Sequence, residues 1–105
     1  PSVTFPVYTP LAGDALLKGY SDSLLVQEQQ IKLHKGLSYY TYKLEMKEDA
    51  VDALTKQILD KEPDADPKLK KADNGMYYLP TGKYRIEIQM NNQKSIMLLD
   101  VKGKN

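Results

Sequence analysis

The chain of 105 residues contains no cysteine and no tryptophan, and only one histidine and one phenylalanine. Without cysteine there is no disulfide framework, no thiolate zinc site and no cysteine nucleophile. A single histidine, with no second His or Cys to join it, leaves most metal and acid–base templates incomplete. Long apolar runs are missing too: no stretch approaches the roughly 18 consecutive apolar residues that read as a membrane-spanning helix. Fifteen Lys and Arg against fourteen Asp and Glu leave a formal charge of +1. The strongly basic face that nucleic acid asks for is therefore not expected. The chain opens Pro1-Ser2-Val3-Thr4, with no initiator Met, basic leader or apolar leader. Both ends stop beside apparent strands, so we read it as a piece of a longer chain whose signal segment, if any, lies elsewhere.

What the sequence does have is alternation. Its size suits one domain, and three zones differ in composition. Residues 1–46 hold Tyr8, Tyr20, Tyr39, Tyr40 and Tyr42 among β-branched and amide residues; residues 47–75 are charged; residues 76–105 alternate again. The segment Gly82–Met90 places Tyr84, Ile86, Ile88 and Met90 on one face and Lys83, Arg85, Glu87 and Gln89 on the other. That is the pattern of a half-buried antiparallel strand. Asn91-Asn92 supplies turn residues that tolerate positive φ, and Ser95–Val101 returns with Met97, Leu99 and Val101 facing the same core. This predicts a hairpin.

A second hairpin is expected from Leu25–Leu33, His34-Lys35-Gly36 and Leu37–Met46, with Tyr40, Tyr42, Leu44 and Met46 inward. Val3, Phe5 and Val7 alternate in a short strand, which Pro6 marks as an edge because it lacks an N–H. Leu11–Tyr20 reads as a turn at Ala12-Gly13-Asp14 followed by a short strand through Leu16 and Leu17. Between the β zones, Glu48–Asp60 sets Val51, Leu54, Ile58 and Leu59 on one helical stripe, with acids in its first turn. Pro63 and Pro67 stop that helix. Residues 61–75 then read as an exposed loop with a helical turn at 67–71. The fold class this implies is mainly β: an immunoglobulin-like antiparallel sandwich of about seven strands with a helix-containing insertion at 47–75. Setting that insertion aside leaves a small core, which favours a neighbour.

The strings Gly36-Leu37-Ser38-Tyr39-Tyr40-Thr41-Tyr42-Lys43-Leu44 and Leu79-Pro80-Thr81-Gly82-Lys83-Tyr84-Arg85-Ile86, separated by a Pro-containing insertion, carry a family resemblance over residues 13–102. The chain resembles the immunoglobulin-like or fibronectin-III-like C-terminal domain of bacterial secreted β-propeller proteins of the sortilin/glycosyl-hydrolase type. The resemblance implies a non-catalytic accessory domain of an exported protein, hence secreted, periplasmic or at the cell surface. It brings no catalytic residue and no cofactor.

Few residues offer chemistry of their own. Asp60, Glu62, Asp64 and Asp66 alternate like a calcium loop, but an EF-hand needs Gly at position six and Glu at twelve, where this chain has Ala65 and Lys71. A solvated charged loop is the better reading. His34 in its turn has no local partner, so an exposed turn residue is expected and not a ligand. Lys68-Leu69-Lys70-Lys71 is too short a basic run for nucleic acid. Eight tyrosines against one Phe are the compositional excess. Tyr40, Tyr42 and Tyr84 belong to the core by parity. Tyr39 and one of Tyr77 or Tyr78 face out, where a ring can stack on a partner protein or a sugar. The candidate binding residues are therefore Tyr39, Tyr77 and Tyr78. The partner is a neighbouring domain or another protein, with a glycan as the alternative. A far-ultraviolet circular dichroism spectrum should be dominated by β signal; one dominated by helix would overturn this class.

Overall fold

The computed structural model describes residues 2–67 and 69–102. Among them are eight strands: β1 (Val3–Thr9), β2 (Gly13–Ser21), β3 (Leu24–Leu33), β4 (Gly36–Tyr42), β5 (Glu45–Met46), β6 (Tyr77–Tyr78), β7 (Gly82–Met90) and β8 (Gln93–Val101). A 3-10 turn at Glu48–Ala50 leads into one α-helix, α1 (Val51–Lys61). Strand accounts for 55% of the described residues and helix for 14%, which makes the class mainly β. A four-stranded antiparallel sheet runs β3-β2-β7-β8; β1 pairs β4, and β5 pairs β6. Side chains from all three pairings share one buried cluster, the layered arrangement of a sandwich. Phe5 and Val7 of β1 and Tyr42 of β4 meet Leu17 of β2, Val26 and Ile31 of β3, and Ile86 of β7 in that cluster.

The C-terminal hairpin forms as its alternation dictates. Met90 pairs with Gln93 around Asn91-Asn92, and Asn91 takes the left-handed φ of 54° that an Asn side chain tolerates. Leu25–Leu33 and Leu37–Met46, however, do not make a hairpin. β3 pairs with β2 around Asp22-Ser23, where Asp22 has φ 55°, and β4 crosses to pair with β1. The turn at His34-Lys35-Gly36, with Gly36 at φ 92°, is thus a corner between sheets. The strand through Leu16 and Leu17 is nine residues long, and it pairs on both sides, with β3 and β7. No helical turn forms at 67–71 among the described residues; Lys68 lies outside them.

Two irregularities shape the core. Gly19 opposes Gln27 while Tyr20 opposes Leu25, so Val26 is the extra residue of a β-bulge. The bulge resets the parity of β3: Leu24 and Val26 point inward before it, Gln27, Ile31 and Leu33 after it. The Val26 carbonyl accepts a 2.8 Å hydrogen bond from the Lys47 N–H, tethering the start of the insertion to the sheet. The second irregularity is Leu44, at φ 60°, a conformation that costs a non-glycine residue about 1–2 kcal/mol. It kinks the chain between β4 and β5, and its carbonyl takes the Leu79 N–H at 2.8 Å.

The insertion is held at both ends of its helix. Leu54 is 1% exposed and packs in the common core, with Val51 and Ile58 against its margin. Gln57 Nε2 donates to Ser21 Oγ at 2.6 Å, and Lys61 pairs with Asp22, so α1 is tied to the β2–β3 turn. Leu59, at the edge of the expected stripe, is 38% exposed. Leu54→Ala should therefore cost about 2–5 kcal/mol in urea unfolding, as buried Leu truncations do. Leu59→Ala should cost under about 1 kcal/mol, and equal losses would mean that the helix packs on a different face.

Candidate functional site

The three tyrosines expected at a surface do not come together. Tyr39 lies on the outer face of the β1–β4 pair, whereas Tyr77 and Tyr78 form β6 and cover the insertion's return. Tyr77 and Tyr78 are both half-buried, and their rings are engaged. Lys71 Nζ sits 5.9 Å from the Tyr77 ring centroid, and Asn74 Nδ2 donates to Tyr78 Oη at 2.8 Å. The Asn74-Gly75 turn that positions them closes with Gly75 at φ 85°.

Tyr39 has company of another kind. The β1–β4 register sets Pro6 opposite Tyr39 and Tyr8 opposite Leu37, all on the face turned away from the core. Tyr8 and Tyr39 are each 68% exposed and Leu37 59%, so this narrow sheet carries a continuous apolar outer surface. At its far end Thr4 and Thr41 share a 2.8 Å hydroxyl hydrogen bond. The inner residues Phe5 and Val7 already imply that Tyr8 points out. Read together with Tyr39, that parity is the signal for the patch.

The outer face of the four-stranded sheet contrasts with it. Arg85 lies over the Tyr20 ring at 4.6 Å and its Nε donates to Glu87 at 2.9 Å; Lys94 reaches the other Glu87 oxygen at 3.3 Å. The Glu87 side chain is 13% exposed. Burial pushes its pKa up, but the hydrogen bonds from Arg85 and Lys94 outweigh that and hold it below the ordinary carboxylate value. Lys18 and Glu28 add a looser pair at 3.9 Å. The ions of this stretch pair with one another, but the exposed Ile96 and Leu98 of β8 lie beside them on the same face.

A cleft of about 760 Å³ lies between α1, the loop after it and Pro80–Tyr84. Several of its lining groups bond one another: Gln57 to Ser21, Lys61 to Asp22, and Tyr84 Oη to the Pro80 carbonyl at 2.7 Å. Among the described residues no three His, Cys, Asp or Glu side chains gather as a metal site. His34 is exposed at the β3–β4 corner, where its carbonyl, not its ring, meets Ser38.

The buried tyrosines act structurally. Gln27 donates to Gln29 at 3.0 Å and Gln29 donates to Tyr40 Oη, a polar chain joining the two sheets across the core. Burial, opposed by the Gln29 hydrogen bond and aided by Glu45, pushes the Tyr40 phenol up. Tyr42 donates to the Glu45 carbonyl and is raised strongly, by burial first and then by Glu45. Comparison with family models, with curated proteins and with solved structures finds no match to this chain.

Burial pushes Tyr84 up to about 12, from an ordinary value of 10.0. A phenol whose folded value is raised stabilises fully below the unfolded pKa and loses that contribution as pH climbs to the folded one. Stability should therefore fall between pH 10 and about 12. Tyr84→Phe should lose about 1 kcal/mol at neutral pH, with the hydrogen bond to Pro80, and show a shallower alkaline decline in urea midpoints. Identical alkaline slopes in the two proteins would contradict it.

Proposed function

We propose that this is a non-catalytic contact domain, which packs against a neighbouring domain or a partner protein through the outer face of β1 and β4. The observation that carries the reading is the run of Tyr8, Leu37 and Tyr39 beside Pro6 on one solvent-facing surface. A large apolar surface on a soluble domain marks an interaction site more often than a reacting one, and tyrosine contributes contact area at low entropic cost. The resemblance over residues 13–102 supports the same role, that of an accessory immunoglobulin-like or fibronectin-III-like module of an exported bacterial protein. On that reading the domain works outside the cytoplasm, where a domain without cysteines needs no disulfide pairing.

The alternative is a carbohydrate-binding module. Tyr8 and Tyr39 are diagonal neighbours in the β1–β4 register, so two exposed rings share one face on which a sugar ring can stack. Tyr77 and Tyr78 contribute less to such a platform, because their rings are half-buried and already partnered.

A photo-crosslinking residue placed at Tyr39 or Tyr8 separates the two. In cells, the contact reading expects discrete protein adducts from both positions and none from a Glu28 control on the charged face. No adduct from either tyrosine position would overturn it. Ring-resonance shifts at Tyr39 on titration with oligosaccharides, lost in Tyr39→Ala, would establish the sugar platform instead.

A further inference from the structure

The second exposed apolar surface lies on β8, and it is built differently. β8 is the outermost strand of the four-stranded sheet, and none of its nine residues is buried. Leu98 is 85% exposed and Ile96 57%, both on the outer face, while Met97 and Leu99 are half-exposed on the inner one. Sheet edges are normally protected by proline, by a bulge or by inward charge. β1 has Pro6, and the bulged edge strand β3 gives its Val26 carbonyl to Lys47. β8 has none of these, and its only edge charges are Lys94 and Asp100 near its two ends: its register with β7 runs unbroken from Gly82↔Val101 to Met90↔Gln93.

The backbone of β8 is presented in the right phase. In a two-residue hairpin the flanking pair, Met90 and Gln93, is hydrogen-bonded, and the pattern then alternates along the strand. Lys94, Ile96, Leu98 and Asp100 therefore turn their N–H and C=O groups away from β7, toward the open edge. These are also the outward-facing side chains.

We infer that β8 pairs antiparallel with β8 of a second copy of this chain, about a two-fold axis at Met97. In that register Ile96 faces the second copy's Leu98, and Lys94, half-exposed beside its own Glu87, faces the second copy's Asp100, each twice by symmetry. The outward-facing sequence reads cation, apolar, apolar, anion. Reversed upon itself, it sets opposite charges opposite and apolar groups opposite. Shifting the register by two residues sets Lys94 against Leu98 and leaves the charges unmatched. The residues that are opposite in this register are those whose backbone groups are free to exchange hydrogen bonds. The result is one continuous eight-stranded sheet. This surface is separate from the Tyr8–Tyr39 face, and the pairing does not depend on what that face binds.

Sedimentation of the intact protein from about 1 µM to about 1 mM tests it. A monomer–dimer equilibrium is expected, with dissociation raised at least about tenfold by Leu98→Lys and by each of Lys94→Asp and Asp100→Lys. The two charge variants, each weak alone, should form a one-to-one heterodimer when mixed, because mixing restores both opposed pairs. That rescue also shows that both variants are folded. A protein monomeric throughout the range would overturn the proposal. So would a dimer that survives Leu98→Lys but is lost in Tyr39→Ser, or charge variants that fail to rescue each other.

Discussion

A four-stranded sheet faces a two-stranded one, and the mismatch in width governs the rest of this molecule. The β1–β4 pair is too narrow to cover every inward side chain of β3, β2, β7 and β8. At the β3 end the deficit is met by the insertion: Leu54 and its neighbours on α1, with Met46 and Leu79 beside them, complete the core around Val26. At the β8 end no other described element meets it, and Met97, Leu99 and Val101 stay half-exposed at the margin of the core. The insertion is thus part of the wall, and the uncovered strand is the counterpart of the covered one.

Two departures from regular strand geometry make that wall possible. The Val26 bulge frees a carbonyl at the place where the chain must leave the sandwich and begin the helix, and Lys47 takes it. Leu44, forced into a left-handed conformation, bends the chain so that a two-residue strand can pair with the returning Tyr77-Tyr78. Its side chain is buried and its carbonyl is bonded to Leu79, so the strain is repaid locally.

Much of this was legible in the sequence. Strict alternation in Gly82–Met90 determined both the strand and its inner face, because a one-residue slip would put charge into the core. The 3.6-residue stripe in the charged zone located α1 to within a residue of its end. The strand pairing of β3 was not legible: Asp22-Ser23 is a modest turn signal beside His34-Lys35-Gly36, and alternation fixes which side chains point inward but not which strand lies alongside. The bulge hid for the same reason, since Val26-Gln27 interrupts the period only when the partner strand is known. Tyr8 and Leu98 were visible in principle, as the outward complement of inward residues. Tyr77 and Tyr78 depended on a loop whose path no local pattern sets.

The order of the strands also has a kinetic meaning. β2–β3 and β7–β8 close over two-residue loops, so each hairpin forms at small cost in chain entropy. β2 meets β7 only after the chain has run through β3, β4 and the whole insertion, with Leu16 pairing Gln89. That junction is the most demanding loop closure of the fold, and sheets dominated by such pairings assemble slowly. Until it closes, each hairpin presents an unpartnered edge and an uncovered apolar face. The charges along Arg85, Glu87 and Lys94 then matter as much for keeping the unfinished β7–β8 hairpin soluble as for the finished sheet.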